Sequence, residues 1–178
     1  MWTALAFLSM LTCAIINWMA VGRAWKRIET IAKPATMALL FATLALAAGF
    51  SSRPLVFFGL GILFSLVGDV FLLFSFQRNS NRWFLAGMGA FLLAQVAYII
   101  ALNIPFGGSS PLVETVIAIV LALAAGRLLQ PILAGVRARG LPRMVAPVAV
   151  YAGAIDLMLL SALLTFLSPA WNHRLELR

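Results

Sequence analysis

Charged side chains are scarce in this 178-residue chain, at 10% against 63% hydrophobic residues. That shortage excludes a soluble domain, whose water-facing surface needs far more polar cover. Cysteine occurs once, as Cys13 within an apolar run, so no disulfide within the chain and no cysteine-based metal cluster can form. Histidine also occurs once, at His173, and is read as a solvated tail residue. No metal and no cofactor is expected. Acidic residues number five against 13 basic ones, a net charge of +8. In a soluble protein this excess would suggest a nucleic-acid partner. At a mean hydropathy of +1.05 the positive charges are read first as topology signals, and no nucleic acid is expected.

Long apolar runs are what the sequence holds in quantity. A helical span takes about 20 apolar residues at a rise of about 1.5 Å each. Six such runs lie at about 2–21, 34–50, 55–76, 83–102, 112–133 and 144–167. They predict an all-α fold, a polytopic transmembrane helical bundle of six spans forming a single domain over 1–178. The first run lacks a basic leader segment and is expected to be a retained span rather than a signal peptide. Ten of the 13 basic residues fall in alternate breaks: Arg23, Lys26, Arg27 and Lys33 after the first span, Arg78 and Arg82 after the third, and Arg127, Arg137, Arg139 and Arg143 around the end of the fifth. Only Arg53, Arg174 and Arg178 fall opposite, and the stretch from Asn103 to Pro111 carries no charge. The positive-inside rule then puts the basic breaks in the cytoplasm and both termini outside, in the cell membrane. With such short connections, function must lie among the helices.

Ionisable groups at membrane depth are costly and point to function. Asp69 lies seven residues, about 10 Å, from the inner end of the third span, and Gly61, Ser65 and Asp69 recur every four residues on one face that should meet protein. Lys33 begins the second span from the same side, with Pro34 suited to a first helical turn; Lys33 and Asp69 therefore lie near one depth. Their plainer roles are a snorkelling lysine and a carboxylate that merely pairs with it. Gln95 sits near the middle of the fourth span, with Tyr98 at i+3. Ala86, Ala90 and Ala94 form a small-residue ladder on an adjoining face, so Gln95 has a plainer role as interhelical glue. In the sixth span Tyr151 and Met158 share a face, whereas Asp156 aligns with Ala149, Ala152 and Gly153. Asn17 and Glu114 are assigned no chemistry.

The segments Leu63-Phe64-Ser65-Leu66-Val67-Gly68-Asp69-Val70 and Gly87-Met88-Gly89-Ala90-Phe91-Leu92-Leu93-Ala94-Gln95-Val96-Ala97-Tyr98 resemble the YhhN, or lysoplasmalogenase, family. Lys33-Pro34 and the pattern from Pro147 through Tyr151 to Met158 and Ala162 agree with it. The resemblance runs over about residues 30 to 165, and Ser-x-x-Gly-Asp is its most specific piece. It implies a polytopic helical protein, typically with eight spans. It also implies a hydrolase that cleaves the vinyl-ether bond of lysoplasmalogens to a fatty aldehyde and a glycerophospho-alcohol, with membrane lipid or lysophospholipid as partner. Two departures stand out. Gln95 occupies the place of a family histidine and cannot act as an acid or base. Six spans leave out the final pair and its Ser-Asp motif, so the chain is expected to be either a fragment or a reduced member, with its activity left open.

Vinyl-ether hydrolysis begins with proton transfer to carbon, which needs a general acid. Asp69 is assigned that catalytic role, with Lys33, Ser65, Gln95, Tyr98, Tyr151 and Asp156 in supporting or substrate-binding roles. The alternative is a catalytically inactive protein that binds lipid or a membrane partner through the same polar interior, and tight pairing of Lys33 with Asp69 would favour it. An intramembrane aspartyl protease is disfavoured, because Leu66 stands where Gly-x-Gly-Asp needs its first glycine. A transporter would need more than the one deep acid with a clear inward stripe. A homo-oligomer is left open.

Overall fold

The computed structural model describes residues 2–78, 80–104 and 110–168, with no strand among them. Six helices follow one another: α1 (Trp2–Gly22), α2 (Lys26–Ala48), α3 (Arg53–Arg78), α4 (Asn81–Asn103), α5 (Pro111–Ala138) and α6 (Val145–Leu167), the last entered through a 3-10 turn at Pro142–Met144. All six are long and apolar enough to cross a membrane, and the chain is an integral membrane protein. His173, Arg174, Arg178 and the middle of the 103–111 connection lie outside the described residues. The chain divides into two compact units, Met1–Ala97 and Tyr98–Arg178.

In the first unit α1 packs along α2, and α2 along α3. The Thr3 hydroxyl donates to the Leu46 carbonyl at 3.3 Å, joining the start of α1 to the end of α2. Ala24 closes α1 at a φ of 56°. The Trp25 N–H donates to the Ala20 carbonyl at 2.8 Å and the Ala24 N–H to Val21 at 3.2 Å, a Schellman cap whose left-handed position normally takes glycine. Between α3 and α4 a turn is closed by the Ser80 N–H on the Ser75 carbonyl and the Ser75 hydroxyl on the Ser80 carbonyl. Trp83 stacks beside Phe71 and Phe74, at 5.6 and 5.5 Å. The two helices then cross closely. A Cβ on Gly68 would lie 2.8 Å from the Phe91 ring, and one on Gly87 would lie 3.1 Å from the Gly68 carbonyl.

Two boundaries depart from the sequence reading. Helix α2 begins at Lys26 rather than 34, because its first turns hold themselves together. Lys26 pairs with Glu29 at 3.1 Å, the Thr30 hydroxyl bonds the Lys26 carbonyl at 2.7 Å, and Glu29 favours the positive helix start. Pro34 is therefore internal, not a first-turn proline, and it denies the Thr30 carbonyl its usual N–H partner. Helix α5 likewise continues to Ala138, with Arg127 well inside it rather than in a break. With Lys33 and Arg127 well inside helices, ten basic residues in the alternate breaks become eight. The small-residue ladder of α4 is also shifted: Gly87, Ala90, Ala94, Ala97 and Ala101 are buried, while Ala86 is half-buried. Their 3-4 spacing follows the 3.6-residue turn, which a strict four-residue ladder drifts away from.

The second unit holds the end of α4 with α5 and α6. Gly140 (φ 71°) caps α5, as the N–H groups of Gly140 and Leu141 donate to Arg137 and Val136 at 3.0 and 3.3 Å. The Thr165 hydroxyl reaches the Leu102 carbonyl at 3.1 Å, and Asn103 Nδ2 donates to Ser161 Oγ at 2.9 Å. These bonds tie α6 to the last turn of α4.

Candidate functional site

Asp69 retains 2% of its side-chain exposure, and its orientation follows from the stripe on which it lies. Gly61, Ile62, Ser65, Gly68 and Asp69 are all buried, whereas Leu63 and Val67 on other faces are exposed. Gly68 lets α4 approach, and Asp69 beside it turns toward α2.

There Lys33 Nζ sits 2.9 Å from Asp69 Oδ1. Lys33 lies seven residues into α2, about 10 Å along the axis. At that depth it meets a carboxylate rather than only the headgroup region, and its side chain keeps 39% exposure. The other Asp69 oxygen, Oδ2, is buried and makes no hydrogen bond among the described residues. The pair thus has one oxygen committed to Lys33 and the other without a partner among the described residues. An unpartnered polar atom at this burial is unusual in a structural ion pair.

A groove lies between this pair and the helix ends, and neither Lys33 nor Asp69 lines it. Lys26, Glu29 and Thr30 of α2 line it with Leu73 and Phe76 of α3. Glu29 and Lys26 precede Lys33 by one and two turns, and Leu73 and Phe76 follow Asp69 by the same intervals, so each helix presents one continuous face. Sequence reasoning missed the groove because it began the second span at Pro34. The signal was present in the i, i+3, i+7 spacing of Lys26, Glu29 and Lys33.

Gln95 lies one turn beyond Phe91 on α4, and its Oε1 is buried without a hydrogen bond among the described residues, as is Asn17 Oδ1 on α1. No hydrogen bond among the described residues brings Gln95 to Asp69. Ser65 is buried one turn before Asp69. Tyr98, Tyr151 and Asp156 belong to the second unit. There Asp156, half-buried, lines an apolar groove between α5 and α6 with Ala152 of its own helix and Ala124, Ala125 and Leu128 of α5. The described residues contain no group of three His, Cys, Asp or Glu side chains able to hold a metal.

No curated protein and no solved structure matches the chain. The YhhN family model matches residues 28–176, a segment that includes Lys33, Asp69 and Gln95. The chain belongs to the YhhN family.

Proposed function

We propose that this protein is a lysoplasmalogenase-like hydrolase of the cell membrane, which cleaves the vinyl-ether bond of a lysoplasmalogen with Asp69 as its proton donor. The observation that carries the reading is the buried Asp69 Oδ2, which has no hydrogen-bond partner among the described residues and lies one turn beyond a groove near the helix ends. A lysolipid entering there places its headgroup by Lys26 and Glu29, its ether linkage one to two turns deeper, and its chain farther along the apolar helices. Asp69, protonated on Oδ2, delivers that proton to the vinyl carbon remote from oxygen and leaves an oxocarbenium ion. Lys33, 2.9 Å from Oδ1, stabilises the carboxylate left behind, which in turn faces the cation. Water adds to the cationic carbon and returns a proton to Asp69. The hemiacetal then collapses to an aldehyde and a free glycerol hydroxyl. One water is consumed and the acid is regenerated.

A second reading is favoured by the same contact. Lys33 and Asp69 as a closed ion pair form an electroneutral structural unit, and Gln95 supplies no titratable group; the protein then binds lysolipid without cleaving it. Aldehyde release from a lysoplasmalogen by the purified protein separates the two. Turnover lost in Asp69→Asn, with the fold retained, supports the hydrolase. A folded parent chain and a folded Gln95→His variant that both bind lysolipid without turnover support the binding protein.

A further inference from the structure

Arg127 and Asp156 are opposite charges inside two linked helices, and neither has a hydrogen bond or ion pair among the described residues. Arg127 precedes the end of α5 at Ala138 by 11 residues, and Asp156 follows the start of α6 at Val145 by 11. Asp156 also shares a groove with Leu128 and Leu129, the two residues after Arg127, so the two charges lie at one level of the hairpin. They face differently: Asp156 lines the α5–α6 groove, whereas Arg127 is exposed on a flank of α5 outside it. Leu128, on the groove's rim, is 70% exposed. Alanines 124, 125 and 152 in the groove leave room for another helix to approach closely.

We propose that this groove receives α5 of a second copy of the chain, in a two-fold dimer where Arg127 of each copy pairs with Asp156 of the other. Equal depth is what makes the second copy fit. Two copies inserted with the same topology are related by an axis along the membrane normal, which preserves depth, and an isologous contact brings residue i against j and j against i. The dimer thereby forms two ion pairs from four charges that have no partner among the described residues of either chain.

The test is association of the full chain in phospholipid vesicles, read by energy transfer between labelled copies. The parent should dimerise. Arg127→Asp and Asp156→Arg, each alone, place like charges together twice, and each should weaken self-association on the order of 30-fold or more. Mixing the two variants should restore association, because the heterodimer regains both opposite-charge pairs. A pair formed within one chain would gain nothing from mixing. A monomeric parent, or variants that associate no better mixed than apart, overturns the proposal. If a charge reversal prevents membrane insertion, Arg127→Met and Asp156→Asn serve instead. Each should weaken association at least about fivefold, and unchanged association in both overturns the dimer as well.

Discussion

At Asp69 the balance is between a buried charge and its single partner. Removing one member of such a pair leaves the other uncompensated, at a cost of about 3–5 kcal/mol in buried settings. Lys33 keeps 39% exposure, so the low end applies. Lys33→Met should lower stability in detergent by about 3 kcal/mol, and the double variant Lys33→Met, Asp69→Asn should recover much of that loss. Equal destabilisation by the single and the double variant would show that the contact contributes nothing. Activity separates along another line. Asp69→Asn retains volume and hydrogen-bonding capacity but has no acid proton, so lysolipid hydrolysis should vanish while the fold persists. Gln95→His should maintain or raise the rate, since it introduces a titratable group at a half-buried position whose Oε1 has no hydrogen bond among the described residues. Asp69 itself was legible from spacing alone, because an acid on a Gly-Ser stripe inside an apolar run is tolerated only where that stripe faces protein. That one oxygen is engaged and the other without a partner among the described residues was not legible, since it depends on how far Lys33 reaches across from α2.

Among the helices, existence was plain and boundaries were not. Apolar runs announce a span, but the start of α2 is set by Lys26 and Glu29, whose bond forms only once the helix exists, and the end of α5 by the backbone cap at Gly140. Pro34 misleads here, since it lies inside α2 at a position usually read as a start, whereas Pro131, already within the fifth apolar run, lies inside α5. The two capping turns invite comparison. The turn after α5 has Gly140 in the left-handed position, while the turn after α1 has Ala24. A Cβ in that conformation costs roughly 1–2 kcal/mol. Ala24→Gly should therefore raise the unfolding midpoint by about 1 kcal/mol equivalent, measured by thermal melting in detergent. A drop would mean that Ala24 makes contacts which outweigh its strain.

For the molecule as a whole, charge asymmetry predicts orientation. Reporter fusions after Arg27, Arg82 and Arg139 should report the cytoplasm, and one near Gly107 the opposite side. A cytoplasmic signal at Gly107 would reverse the map and place the mouth of the Lys26–Glu29 groove on the outer leaflet. Length adds another constraint. Helix α5 has 28 residues, about 42 Å of helix, against about 30 Å of hydrocarbon in a typical bilayer. Such a mismatch is relieved by tilting or by bending, and Pro131, seven residues before Ala138, leaves the Arg127 carbonyl without its helical donor. The last two turns, with Arg137 and the following Arg139 and Arg143, can then lie along an anionic lipid surface, where each cation gains about 1 kcal/mol. Bilayer thickness thus becomes a variable to which this helix responds. In thicker membranes the segment beyond Pro131 is drawn into line with the rest of α5, and in thinner ones it folds down onto the headgroups, where a fluorophore after Arg137 should report greater lipid contact.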